Sequence, residues 1–291
     1  MKTLSIPVRA IGPGSQPDEE PLQYLDMPRD MNTFQMPLVP ERADTDALSE
    51  SRDVLEEFLD ALYPWDPAMR VAGPRLDVGG VSPAARAITN QMLGEGEVAI
   101  QIGGSRTLRI QESVFCGIWR VCELDAHGQL CRDWIEAGSL PEIVLESALA
   151  AAAPGPTSVA PPEGAMNSPA LIHEIRSQIC DRKPESAARV INLTLFPMTA
   201  DDHRVLEQAL PVGPVAMISR GFGNCRITST LARNVWRVQY FNTMNTLILN
   251  TLEIVEAPEV ALAAPEDLVD SRLRLAELVE WMSESCTAQR I

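Results

Sequence analysis

One short segment of the chain combines turn-forming glycines with a thiol and two cations. Residues 220–226 read RGFGNCR, so Cys225 follows a glycine-rich turn and lies between Arg220 and Arg226. Neighbouring positive charges lower the pKa of an exposed thiol and make it reactive. Cys225 is therefore a candidate redox thiol or transient ligand of a metal cluster. A packed or partner-facing residue is the alternative.

The two glycines of this segment, Gly221 and Gly223, invite comparison with a phosphate-binding loop. Such a loop needs a helix N-terminus directly after its glycines, because backbone N–H groups and the helix dipole hold the phosphate. Here the residues that follow, CRITSTL, are typical of a strand. The pattern therefore predicts a turn between two strands, in which glycine supplies a positive φ angle.

Four arginines crowd the same part of an otherwise acidic chain: Arg220, Arg226, Arg233 and Arg237. They form either a binding face or a set of salt bridges with local carboxylates, and the sequence leaves both interpretations open.

Short antiparallel strands are the elements that position these residues. Residues 211–255 are rich in β-branched and aromatic residues, which favour strands. Side chains alternate along a strand, so Trp236 and Tyr240 share one side while Arg237 and Gln239 share the other.

The same region matches an earlier part of the chain when the numbering is shifted by 117 residues. Arg109 falls on Arg226, and the triplet WRV at residues 119–121 falls on WRV at residues 236–238. The match predicts a duplication of one module of roughly 100 residues.

The pattern of helices and strands predicts an α+β fold of two tandem, diverged copies of a helix–strand–helix–four-strand module, with mainly antiparallel sheets. The expected segments are an extended proline-rich arm, a first module, a Pro/Ala linker and a second module ending in a helix, at residues 1–48, 49–149, 150–166 and 167–291. The arm either docks on its own domain or a partner, or is a floppy tail. The two modules are expected to pack about a pseudo-twofold axis, burying the faces that carry Trp119 and Trp236.

Composition limits the possible partners. The chain has 291 residues and a formal net charge of −16, which disfavours binding to nucleic acid and anionic membranes and favours basic partners. Simple solubility explains such a charge as well. No apolar run is long enough to span a membrane, and the N-terminus lacks the apolar core of a secretory signal, so a cytoplasmic location is expected.

No known catalytic or metal motif is found in the sequence. The three histidines, His127, His173 and His203, are far apart, and His173-Glu174 lacks the second histidine of a zinc-protease helix. The six cysteines form no CxxC pair, and no serine lies in a nucleophile elbow. No enzyme activity and no bound cofactor are therefore predicted.

The C-terminal half of the chain nevertheless resembles a known family. Two long segments carry the resemblance, LPVGPVAMISRGFGNCRITSTLARNVWRVQYFN and LILNTLEIVEAPEV, together with GPGSQP and LQYLDMP near the N-terminus. They resemble the HupH/HyaF family, also called HoxQ, of accessory proteins for uptake NiFe-hydrogenases. The resemblance covers most of the chain and is weaker in the first module.

The resemblance implies a cytoplasmic maturation factor that binds the iron–sulfur small-subunit precursor, with its twin-arginine signal peptide, and protects it or its clusters. It also implies a thioredoxin-like partner of the HupG/HyaE type. The family supplies no catalytic residues, so the matched positions are only candidates for partner binding: Arg220, Gly221, Gly223, Asn224, Cys225, Arg226, Trp236, Arg237 and Tyr240. Two alternatives stay open: a redox or metal-handling protein that delivers or repairs an iron–sulfur cluster through Cys225, and a structural adaptor between other maturation factors.

Overall fold

A computed structural model describes residues 45–69, 72–183, 186–221 and 223–288, and for residues 285–288 it describes the backbone alone. The described residues belong to one compact unit. Its helices are α1 (Thr45–Leu62), α2 (Pro83–Leu93), α3 (Glu142–Ala151), α4 (Ser168–Asp181), α5 (Ala200–Ala209) and α6 (Pro265–Ala288). Two short 3₁₀ helices span Leu193–Leu195 and Glu259–Ala261.

Ten strands form a single antiparallel sheet. They are β1 (Arg75–Asp77), β2 (Val98–Ile102), β3 (Thr107–Glu112), β4 (Ile118–Leu124), β5 (Leu130–Ala137), β6 (Arg189–Asn192), β7 (Val212–Ser219), β8 (Asn224–Thr230), β9 (Val235–Phe241) and β10 (Leu247–Ile254). Their order across the sheet is β1-β5-β4-β3-β2-β7-β8-β9-β10-β6. Each half of the chain therefore contributes five neighbouring strands, and read outward from β2 and from β7 the two halves have the same order.

The pairing of β2 with β7 joins the two halves. Val98 lies opposite Ser219, Ile100 opposite Met217, and Ile102 opposite Val215. This corrects the expectation of separate sheets, because the two halves share one sheet edge to edge. The join has a physical reason: each of these strands would otherwise present a row of unpaired backbone groups at a sheet edge.

One side of the sheet carries the largest apolar core. Trp119, Trp134 and Trp236 lie there with the alternate residues of the central strands, and Val144 of α3 packs against them. The indole N–H of Trp119 donates to the Gly138 carbonyl at 2.8 Å, and that of Trp236 donates to the Glu256 carbonyl at 3.1 Å. Both matched tryptophans therefore lie in one core on the same side of the sheet. We call this side the tryptophan face.

The described helices cover the two ends of the opposite side. At one end α1, α2 and α6 pack their apolar residues on β4 and β5. At the other end α4 and α5 pack on β9, β10 and the residues around β6. The N-termini of α2 and α5 are capped locally: Ser82 accepts from the Ala85 N–H, and Thr199 and Asp202 form a capping box.

The fold is a mixed α/β structure built on a large antiparallel sheet, as the alternation of apolar residues predicted. The predicted linker is hydrogen-bonded to the second half: Ala153 donates to the Leu231 carbonyl at 2.8 Å, and Thr157 to the Ala209 carbonyl at 2.8 Å. Residues 45–48, predicted as the end of the arm, lie in the first turn of α1, and residues 1–44 lie outside the described residues. Within the described part of the chain, every helix is too short or too polar to cross a membrane.

Candidate functional site

On the side opposite the tryptophan face, no helix of the described residues covers the centre of the sheet. None of the described residues of β2, β3, β7 and β8 belongs to either of the two helix-covered cores on this side. We call this surface the arginine face, and define it by the side chains that these four strands and β9 direct away from the tryptophans: Ala99, Gln101, Arg109, Gln111, Ala216, Ile218, Arg226, Thr228, Arg237 and Gln239.

The strand register sets these residues in two parallel rows across five strands. In the first row each residue lies opposite the next on the neighbouring strand, in the order Arg109, Gln101, Ala216, Thr228 and Arg237. The second row contains, in the same strand order, Gln111, Ala99, Ile218, Arg226 and Gln239. Small, apolar and uncharged side chains therefore form the floor, and the arginines lie toward its two ends.

The arginines of this surface, and the nearby Arg220 and Arg233, carry charge that the described part of the chain does not neutralise by contact. Arg109, Arg220, Arg226, Arg233 and Arg237 form no ion pair with any described carboxylate. The interpretation of these residues as local salt bridges is therefore wrong within the described structure. A cluster of unpaired guanidinium groups in a chain of net charge −16 favours the binding-face interpretation.

Arg226 and Arg237 lie in different environments. The Arg226 guanidinium lies over the Phe241 ring at 4.5 Å from its centroid, a cation–π contact that fixes the charge at the surface. Arg237 is partly buried, and burial lowers the pKa of its guanidinium while the charge of Glu207 on α5 opposes that shift.

Cys225 lies on the tryptophan face, not beside the arginines. Its sequence neighbours Arg226 and Asn224 point to the other side, because side chains alternate along β8. The thiol is fully buried, and burial raises its pKa to about 12, with the hydrogen bond to Tyr240 opposing the shift. Of the two interpretations of Cys225, the structure supports the packed thiol over the exposed, activated one.

Two other candidates share the position of Cys225. Trp236 is buried in the same core. Tyr240 packs partly buried against that core, and burial raises the pKa of its phenol to about 12. The structure therefore divides the candidate residues. Arg226 and Arg237 lie on the arginine face, Cys225, Trp236 and Tyr240 lie in or against the core, and Arg220 is exposed directly after β7.

The glycine turn connects β7 to β8 as predicted. Gly223 has a φ angle of +94°, a conformation that favours glycine. A Cβ atom at Gly221 would overlap the carboxylate of Glu97. β8 begins directly at Asn224, so the turn leads into a strand, and no helix N-terminus faces the glycines.

Sequence reasoning missed several residues of the arginine face. Arg109 was matched to Arg226 by the 117-residue shift, but only the structure places it on the same surface. Gln101 carries no motif, and its place on this surface follows from strand register alone. Among the described residues, no three His, Cys, Asp or Glu side chains are arranged to hold a metal ion.

Comparison with known proteins identifies the family. A family model described as "HupH hydrogenase expression protein, C-terminal conserved region" matches residues 48–152 and 165–282. The chain belongs to this family.

Three relatives align with nearly the whole chain. Hydrogenase expression/formation protein HoxQ from Cupriavidus necator is 41% identical over 283 residues, covering 97% of this chain and 99% of that protein. Hydrogenase expression/formation protein HupH from Rhodobacter capsulatus is 39% identical, covering 96% and 98%. Hydrogenase-1 operon protein HyaF from Escherichia coli is 31% identical, covering 94% and 96%.

One solved structure also matches: hydrogenase expression protein HupH from Thiobacillus denitrificans, with 24% identity and a TM-score of 0.36. The match covers 40% of this chain and 96% of that one.

Proposed function

We propose that this protein is an accessory factor in the maturation of an uptake NiFe-hydrogenase. It binds the iron–sulfur small-subunit precursor in the cytoplasm before export and protects the precursor or its clusters. The observation that carries the proposal is that relatives named hydrogenase expression/formation proteins align with 97% and 96% of the chain. Those names describe the formation of another protein rather than a reaction, which favours a binding protein over an enzyme.

The arginine face is the surface that we assign to the client. Its support is the set of unpaired arginines on an open sheet centre, together with the fact that Arg226 and Arg237 belong to the segment that most resembles the family. A thioredoxin-like accessory protein of the HupG/HyaE type acts beside it on the same client.

The twin-arginine signal peptide of the client binds a different, acidic surface. The outward side of α1 exposes Asp53, Glu56, Glu57 and Asp60, and a basic segment is attracted to such a row in a salt-dependent manner. Raising the salt concentration therefore slows association with the precursor, and Glu56→Gln/Glu57→Gln/Asp60→Asn reproduces that effect at low salt.

Delivery or repair of a cluster through Cys225 is the competing proposal. The burial of Cys225 and its raised pKa count against it, because a thiolate is the nucleophile and metal ligand. Cys225→Ala is expected to keep hydrogenase maturation, whereas a loss of maturation with client binding intact would favour the cluster role.

We further propose that the fold arose by duplication of one module. Three observations support this: the strand order is the same outward from β2 and β7, the family model matches both halves, and Ile100 and Met217, which are 117 residues apart, lie opposite each other in the central pair. In an experimental structure, residues 49–149 are expected to superpose on the second half strand for strand. A β4 that superposed on any strand other than β9 would refute the duplication.

The direct test of the function is co-purification. The tagged full-length protein is used to capture the small-subunit precursor from cells that express it with or without its signal peptide. We expect capture of the full precursor, slower and weaker capture without the signal peptide, and little capture of the mature, exported subunit. Equal recovery of precursor and mature subunit would contradict the proposal.

A further inference from the structure

A buried ion pair in the first half of the chain provides the starting point. Arg120 on β4 donates to the Asp133 carboxylate on β5 at 2.6 Å, and its Nε donates to the Asn90 side chain on α2 at 2.6 Å. Arg86 approaches the same carboxylate at 3.4 Å. The Arg120 guanidinium thus has a carboxylate partner where the sheet meets the helices, as a buried charge requires.

The corresponding place in the second half lacks that carboxylate. Arg237 and Asn250 lie 117 residues after Arg120 and Asp133, and the register agrees: Asp133 lies opposite Cys122, and Asn250 opposite Gln239. Asn250 has an amide where Asp133 has a carboxylate. Its Oδ1 atom is buried and has no hydrogen-bond partner within the described structure.

Glu207 on α5 is the carboxylate that acts on Arg237, but it does so without forming an ion pair at contact distance. The partly buried Arg237 guanidinium therefore lacks a contact carboxylate among the described residues, and the neutral Asn250 stands at the position of Asp133. A guanidinium without a carboxylate partner in a partly desolvated place costs folding free energy, so the position of Arg237 favours an anionic ligand.

We propose that this gap receives a carboxylate from an extended acidic segment of a partner protein that lies along the arginine face. The first half of the chain provides the template, since a carboxylate held by an arginine at the same register is what Asp133 supplies there. This binding mode adds detail to the proposed function. It depends on the proposed function only for the identity of the protein that carries the acidic segment.

The spacing of the arginines favours a peptide over a small anion. Arg237 and Arg226 are diagonal neighbours on adjacent strands, about 7 Å apart between Cα atoms. Arg109 is three strands beyond Arg226, at roughly 16 Å when strands are about 4.8 Å apart. An extended chain rises about 3.3 Å per residue, so a segment of about eight residues reaches all three arginines, while a free phosphate reaches one.

Fluorescence anisotropy with the full-length protein tests the inference. The probe is a fluorescein-labelled twelve-residue peptide with glutamates at alternating positions among threonines and valines, and its glutamine analogue is the neutral control. We expect the acidic probe to bind at least tenfold more tightly than the neutral one, and Arg226→Gln to weaken binding about tenfold.

Asn250→Asp is the decisive variant. It supplies an internal carboxylate to Arg237, so we expect it to abolish most of the binding of the acidic probe and also to raise the melting temperature. Arg204→Gln is the matched control: it removes one positive charge from an exposed arginine that is paired with Asp201, and probe binding should change less than twofold.

Several results would overturn the inference: equal affinity for the acidic and neutral probes, unchanged binding by Asn250→Asp, or tighter binding of a twelve-nucleotide single strand than of the acidic peptide. Much tighter probe binding by Asp18→Asn/Glu19→Gln/Glu20→Gln would identify the chain's own N-terminal segment as the occupant instead of a partner, and would also overturn it. Failure of precursor capture with intact probe binding would refute the proposed function alone.

Discussion

Replacing Asp202 with asparagine is expected to destabilise the second half of the protein more than any neighbouring surface change. The Asp202 carboxylate is buried where α4 and α5 begin. Its Oδ1 atom accepts from the backbone N–H groups of Met166, Asn167 and Ser168 and from the Ser168 hydroxyl at 2.8–2.9 Å. Its Oδ2 atom accepts from the Thr199 N–H and hydroxyl, both at 3.0 Å.

The magnitude follows from this geometry. An asparagine keeps one acceptor oxygen and places an NH₂ group against the donors that faced the other, so at least two buried donors lose their partner. Hydrogen bonds to a charged group contribute about 1.5–3 kcal/mol each and are not additive. A loss of about 3 kcal/mol is therefore expected, or a melting temperature lower by roughly 6–12 °C.

Thermal unfolding followed by circular dichroism provides the assay, with Asp201→Asn as the control. Asp201 is the adjacent residue and pairs with the exposed Arg204 at 2.9 Å, so its loss should cost less than about 1 kcal/mol. Equal melting temperatures for the two variants would refute the assignment of Asp202 as the cap that joins α4 to α5.

The same residue gives a pH dependence. Burial alone would raise the pKa of Asp202, but the hydrogen bonds from Ser168 and Thr199 outweigh it and hold the pKa well below its usual range. A depressed folded-state pKa stabilises the fold above the unfolded value of about 3.9 and loses that effect as the pH falls. The stability difference between the wild type and Asp202→Asn should therefore be constant near neutral pH and shrink below about pH 4.

Two further predictions concern the glycine turn and the thiols. Iodoacetamide should modify the exposed Cys131 in the native protein and leave the buried Cys225 unreacted, as mass spectrometry of tryptic peptides would show; early labelling of Cys225 would contradict its placement. Gly221→Ala should destabilise by overlap with Glu97, and Glu97→Ala should relieve part of that cost in a double-mutant cycle. Gly223→Ala should cost about 1 kcal/mol through its positive φ alone, so rescue of this variant by Glu97→Ala would argue against the described turn.

Much of the local structure could be predicted from the sequence. The two-residue alternation of Trp236 and Arg237 marks a strand with one buried side, and Ser82 followed by Pro83 marks the start of α2. These signals are local: neighbouring residues carry them, and tertiary contacts only confirm what the backbone already prefers.

The pairing of β2 with β7 could not be predicted in this way. Val98 and Ser219 are far apart in the sequence, and nothing in either strand specifies which edge it will join. The same limit applies to Asp202, whose capping box with Thr199 is visible in the sequence, whereas its bonds to residues 166–168 depend on how α4 meets α5.

The sequence left two interpretations of Cys225 open for a different reason. Arg226 is adjacent in the sequence, but adjacent residues of a strand point to opposite sides of the sheet. Applying the alternation already seen at Trp236 to β8 would have placed Cys225 in the core. Asn250 occupies the register position that Asp133 occupies in the first half. This replacement of a carboxylate by an amide is visible only when the registers of the two halves are compared.

Hydrogen uptake in air by a strain that lacks this gene tests the central claim most directly. The account predicts that uptake is lost, that unprocessed small-subunit precursor accumulates, and that the wild-type gene restores activity while an Arg226→Gln/Asn250→Asp variant does not. A deletion strain with undiminished hydrogen uptake and fully processed small subunit would contradict it.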